Sequence, residues 1–276
     1  MKANTYQRRL LSIVVGLCWL SSWTKADTRD GPYHFHPGLR ISQTKSLSSR
    51  ELNGLIRELS SLSGLHLKVD VDGSIHYDPK LPAVGGSAVG RELLIKAIDN
   101  SDSFSIESAN NSGTFAFAQI ESTTSYKNGT NPPQTEWVIR IDFADFTQLG
   151  GDAAAIKAFS PGMNFMHELG HAILKLSDPE GPNDPLGECE RYVNLMRAEL
   201  GLPLRKYYFT KTRLARTPTS QFRILQGELK FTHGDPDLRR AEESLLTFDI
   251  AMVVDTQRLQ SKSSIPSDLF AIASKH

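Results

Sequence analysis

Cysteine is nearly missing from this chain. Its 276 residues include two, Cys18 and Cys189, and the first lies in an apolar N-terminal run. A disulfide framework is therefore excluded as the source of stability, which has to come from a core or from a bound metal. A charge excess of either sign is also missing, because 31 basic and 31 acidic side chains cancel. That argues against a nucleic-acid binder, which carries a clustered basic surplus. Past the N-terminus there is no apolar run long enough to cross a bilayer. Internal repeats and a dividing linker are absent as well, so the bulk of the chain reads as one domain with 39% hydrophobic residues.

The N-terminus is distinctive. Lys2, Arg8 and Arg9 precede the apolar stretch Leu10–Trp23, and Thr24-Lys25-Ala26 supplies a small-x-small cleavage site. Residues 1–26 thus read as a secretory signal peptide, an N-terminal anchor being the alternative. Export to the periplasm or beyond is expected, with membrane contact only through this segment. Loss of its four basic and no acidic side chains leaves 27 against 31, a net charge of −4. Residues 27–47 read as a loose lead-in, 48–260 as the folded domain, and 261–276 as a polar tail.

Within 48–260, helical spacing of Leu52, Leu55, Ile56 and Leu59 predicts a helix over 49–60. A hairpin follows around Asp72-Gly73. A second helix is expected over 88–98, then strands over 103–108, 114–120 and 136–143. Ser160-Pro161 is a strong helix start, with a hydroxyl N-cap and proline in the first turn. That helix should run to about Leu176. Another starts at Asp184-Pro185 and ends at Gly201. Two long strands, 222–232 and 245–254, complete the domain.

The helix from Pro161 carries His167-Glu168-Leu169-Gly170-His171. Two histidines four apart share one face, so both imidazoles can reach one ion. Zinc suits such ligands and keeps one position for water. Glu168, next to His167, can then act as general base. Met163, Met166, Gly170, Ile173 and Leu176 form an apolar stripe on the other side of the helix. Gly170 is a poor helix former and demands a packing reason.

A third ligand is needed, and three acids compete. Glu190 follows His171 by 19 positions, a spacing similar to the glutamate-zincin pattern. Asp178 follows it by seven, which resembles the metzincin arrangement without that family's glycine. Glu188 lies on the opposite flank of the same helix as Glu190 and also reads as a first-turn acid favoured by the helix dipole. His34 and His36, near the start of the exported chain, read as solvated. His233 reads as part of a turn with Gly234-Asp235-Pro236, and Cys189 as a small core residue.

Downstream, Asn194-Leu195-Met196-Arg197-Ala198-Glu199-Leu200-Gly201-Leu202-Pro203-Leu204-Arg205 precedes Tyr207 and Tyr208. Together with the histidine motif, this segment resembles the NleD-like effector and polymorphic-toxin zinc metallopeptidases of bacteria. The resemblance covers residues 136–208. It implies an α+β zincin-like fold, a twisted mixed sheet packed on the His-Glu-x-x-His helix, with Zn2+, hydrolysis of a protein or peptide substrate, and an effector or toxin role. Members of that family do not usually carry a signal peptide of their own, whereas residues 1–26 here read as one. Residue by residue, Asn194 and Arg197 share a flank with Glu190 and can orient it. Either tyrosine can donate to the oxyanion of a tetrahedral intermediate; Arg197 and Arg205 also read as ordinary surface charges. The strand over Trp137–Phe143 is expected to line the cleft as a sheet edge. The alternative function is a non-catalytic zinc-binding module on the same scaffold.

Overall fold

The computed structural model describes residues 37–112, 116–125, 134–180, 184–208, 210–216, 222–233 and 242–254. The signal-like segment, His34 and His36, the Gly234-Asp235-Pro236 turn and the polar tail lie outside the described residues.

Strand β1 (Gly38–Ile41) comes first, inside the stretch expected to be a loose lead-in. Four residues with Leu39 and Ile41 buried are too few to show alternation in sequence. Helix α1 (Ser49–Ser63) begins at a capping box in which Ser48 accepts from the Glu51 amide and Glu51 accepts from the Ser48 amide. The hairpin β2 (Leu67–Val69) and β3 (Ile75–Tyr77) turns at Asp72-Gly73 as expected. Helix α2 (Ala88–Ile98) and strand β4 (Ser103–Ser108) also match. Strand β5 (Ala118–Ser125) lies further along than the expected 114–120. Strand β6 (Gln134–Ile141) stops before Phe143. There Asp142 accepts from the amides of Ala144 and Asp145, capping the short helix α3 (Phe143–Phe146). Three elements lead on to the motif: β7 (Gly150–Gly151), α4 (Ala153–Ala158) and the motif helix α5 (Pro161–Leu174). Then come α6 (Gly187–Glu199), β8 (Leu204–Arg205), β9 (Lys211–Arg216), β10 (Phe222–His233) and β11 (Glu242–Val254).

The fold is α+β. One sheet has the order β1-β4-β6-β5, with β1, β4 and β6 parallel and β5 antiparallel to β6. The edge next to β6 is therefore β5, and the strand carrying Trp137 is internal. Serines and threonines fill β5, so it lacks the alternation that made β6 legible. Ile106, Ile139 and Ile141 from this sheet meet Phe165, Met166 and Leu169 of α5, all fully buried. Each such side chain contributes about 1.5–3 kcal/mol when removed from water.

A second, antiparallel sheet has the order β7-β11-β10-β8, with β9 also on β10. Its long β10–β11 hairpin is broken by one register shift at Leu225/Gln226. Phe231 and Leu246 from this sheet pack with Phe117, Ala158 and Phe159 in a smaller core. Phe117 holds a left-handed backbone, φ +66°, and its ring meets Phe146, Phe159 and Phe248 edge-on. This aromatic knot ties the start of edge strand β5 to the second sheet.

Candidate metal centre

Helix α5 is held at both ends. Ser160 caps it through the Met163 amide, and Glu58 of α1 accepts from the Gly162 amide at 3.0 Å. It stops at Lys175, which takes the left-handed C-cap conformation (φ +58°) that a glycine would ordinarily supply. The Lys175 ammonium then lies 4.4 Å from the Trp137 ring centroid. Gly170 has its packing reason, since a Cβ there would stand 2.8 Å from Cys189 Sγ.

The turn after Lys175 returns the chain to the histidines. His171 Nδ1 lies 2.7 Å from the Leu176 carbonyl oxygen and donates to it, which frees Nε2. The two Nε2 atoms are 3.1 Å apart. Asp178 Oδ1 is 3.2 Å from His167 Nε2 and 3.5 Å from His171 Nε2. Zinc bonded at about 2.0–2.1 Å in a tetrahedron separates its ligands by about 3.3–3.4 Å. The three atoms thus form the face that such an ion needs. Asp178 Oδ1 is buried and accepts no aligned hydrogen bond among the described residues. Its other oxygen accepts from the Tyr208 hydroxyl at 2.6 Å. The Tyr208 ring stacks on His167, centroids 5.9 Å apart.

Glu188 holds the Asp178 turn in place. It accepts from the Ser177 amide at 3.1 Å and from the Ser177 hydroxyl at 3.0 Å, so it latches the turn one residue away from Asp178. Gly187, at φ +71°, is required there, because a Cβ would stand 2.5 Å from the Pro179 nitrogen.

Glu190 stands on the other side of His167. Its Oε2 is 3.2 Å from Nδ1, not from Nε2. Its Oε1 accepts from Arg197 Nη1, and Oε2 accepts from Arg205 Nη1 at 3.1 Å. Arg197 and Arg205, which also read as surface charges in the sequence, are 2% and 9% exposed. Asn194 joins them: its Oδ1 accepts from Arg197 Nη1 at 2.8 Å and from the Arg205 amide at 2.9 Å. Glu199 accepts from the Ser87 hydroxyl at 2.6 Å and the Val89 amide at 3.1 Å, capping α2. The sequence signal for part of this was the helix flank that Asn194 and Arg197 share with Glu190; nothing local pointed to Arg205 or Glu199.

The structure therefore brings His167, His171, Asp178 and Tyr208 to one point and sets Glu190 behind it. Tyr207 points elsewhere, exposed between Lys206 and Lys211. Cys189 is a second potential donor, since its sulfur and the two histidines offer atoms within 4.8 Å of one another. That sulfur already donates to the His167 carbonyl at 3.1 Å, whereas Asp178 Oδ1 accepts no aligned hydrogen bond among the described residues. No protein-family model, curated protein or solved structure matches this chain.

Its electrostatics favour a cation. Burial disfavours the imidazolium of His167, but Asp178 and Glu190 hold its pKa well above the usual histidine value. Burial likewise opposes a charge on His171, yet Cys189 and Asp178 push its pKa up to about 9. Burial would raise the Glu190 carboxyl, but Arg197 and Arg205 hold it well below the carboxylate range. Glu168 rests against the edge strand, where the Ile120 backbone hydrogen-bonds its carboxylate. Burial raises its pKa and the two imidazoles oppose the rise, a condition suited to a group that must accept and release a proton.

Proposed function

We propose that this chain is a zinc-dependent peptidase of zincin type, with His167, His171 and Asp178 as the metal-holding residues and Glu168 as the general base. The observation that carries the reading is the triangle of His167 Nε2, His171 Nε2 and Asp178 Oδ1, with sides of 3.1, 3.2 and 3.5 Å, closed by a buried carboxylate oxygen that accepts no aligned hydrogen bond among the described residues. Zinc held there supplies a polarised carbonyl and a water of lowered pKa. Glu168 would serve as the general base there, its carboxylate accepting a proton from the attacking water and passing it to the leaving amine. Tyr208 fixes Asp178 through its hydroxyl and covers one face of His167. Antiparallel edge strand β5, beside Glu168, suits an extended peptide added as a further strand. The resemblance to NleD-like metallopeptidases supports the same reaction and an effector or toxin role. The N-terminal segment supports export.

A second reading, a zinc-binding module without cleavage, is favoured by Cys189, whose sulfur near both histidines would suit a closed structural site. One experiment separates the two. Zinc content and cleavage of a peptide library are measured for the wild type and Glu168→Gln. The peptidase reading expects about one zinc per chain in both proteins and a loss of cleavage of about 10²–10⁴-fold in the variant. Zinc in both with no wild-type cleavage favours the module. No zinc in the folded wild type sinks both.

A further inference from the structure

We infer that Glu190 is a positioning residue for the metal centre, gripped by Arg197 and Arg205 so that it acts on the metal through His167 Nδ1 and never as a ligand. The inference rests on the metal reading of His167, His171 and Asp178, and concerns a group that this reading leaves outside the coordination shell.

The His167 ring has two nitrogens with different surroundings. Nε2 faces His171 and Asp178 at 3.1 and 3.2 Å. Nδ1 is buried with no aligned hydrogen-bond partner among the described residues, and Glu190 Oε2 approaches it at 3.2 Å. A neutral imidazole carries one proton. With that proton on Nε2 the ring cannot bind metal from the face it presents. A carboxylate at Nδ1 draws the proton there, leaves the Nε2 lone pair free, and raises the basicity of the ligand.

The frame around Glu190 keeps it in that role. Arg197 holds one oxygen and Arg205 the other, and Glu190 is 1% exposed. To reach the Nε2 side it would have to leave two arginines and pass the imidazole. Arg197 is fixed in turn by its Nε on the Ala158 carbonyl at 2.9 Å. Arg205 is fixed by the Tyr207 carbonyl at 3.0 Å and by the Asn194 side chain, which donates to its carbonyl at 2.9 Å. Strand β8, carrying Arg205, is paired to Phe231 and Thr232 of the second sheet. The long hairpin thus bears on the metal centre by holding Arg205 against Glu190.

The test compares wild type, Glu190→Gln and Asp178→Asn. Zinc dissociation constants are measured by competition with a chromophoric chelator, and the His167 ring nitrogens are observed by 15N NMR in the zinc-loaded proteins. The expected result is one zinc per chain for Glu190→Gln with affinity about 10–100-fold weaker. Wild-type His167 should show a hydrogen-bonded proton on Nδ1, and that signal should shift in the variant. Asp178→Asn should lose zinc in the same assay. Unchanged affinity and an unchanged Nδ1 signal in Glu190→Gln overturn the positioning role and leave the metal site standing. Zinc kept by Asp178→Asn and lost by Glu190→Gln makes Glu190 a ligand and overturns it too. A wild type that binds no zinc overturns both the metal reading and the role built on it. Should Glu190→Gln fail to fold, the wild-type spectrum decides alone: a zinc-loaded His167 without a proton on Nδ1 contradicts the inference.

Discussion

Two carboxylates approach the same imidazole from opposite sides. Asp178 stands on an irregular turn, its side chain 38% exposed, with one oxygen facing both Nε2 atoms. Glu190 stands on a helix, 1% exposed, with both oxygens taken by arginine. Spacing along the chain made them equal as ligands. Their commitments to other groups separate them: an acid that already satisfies two guanidinium groups has little left for a metal, while an acid whose buried oxygen accepts no aligned hydrogen bond among the described residues keeps that oxygen available for one.

That contrast can be broken at several points. On the proposed zinc reading, replacing Asp178 by Ala removes one of three protein ligands and should weaken zinc binding on the order of 10³-fold, with loss of any peptidase activity; chelator competition measures it. On the other side of the ring, Arg197→Ala leaves the buried Glu190 with half its support. It should destabilise the fold by about 3–5 kcal/mol, read as a lower urea midpoint. A ligand-like Glu190 would instead tolerate that change once zinc is added.

The pH dependence is gentler. On the zinc reading, metal binding displaces the proton that His171 holds; against the effect of burial, Cys189 and Asp178 push its pKa up to about 9. Zinc affinity should therefore rise by about tenfold per pH unit for each displaced proton up to that value, then level off. In the metal-free protein the sign is opposite. The raised His171 pKa stabilises the fold fully below the ordinary value of 6.5, and that contribution is lost as pH climbs through about 9. Calorimetry in two buffers of different ionisation enthalpy counts the protons. Glu190, held ionised by its arginines, should contribute nothing to this curve across the neutral range.

The motif helix was legible because its signals are local: a serine cap, a proline in the first turn, and two histidines at one-turn spacing. The short helix after β6 was missed because Phe143 extends the apolar alternation of Trp137, Ile139 and Ile141, while the Asp142 cap works through its side chain. The edge strand was misplaced because its serines and threonines carry no periodicity. The choice of third ligand was beyond sequence, since it depends on Arg205 reaching back to Glu190 across 15 positions. Lys175 ends the motif helix at Leu174, short of the expected Leu176, by taking a backbone conformation in which glycine is the usual residue.

The most direct measurement is anomalous diffraction at the zinc edge from crystals grown with zinc. One peak bonded at about 2.0–2.2 Å to His167 Nε2, His171 Nε2 and Asp178, with Glu190 still between Arg197 and Arg205, is the predicted result. A peak bonded to Glu190, or a zinc-exposed crystal with no peak at the histidines, would contradict it.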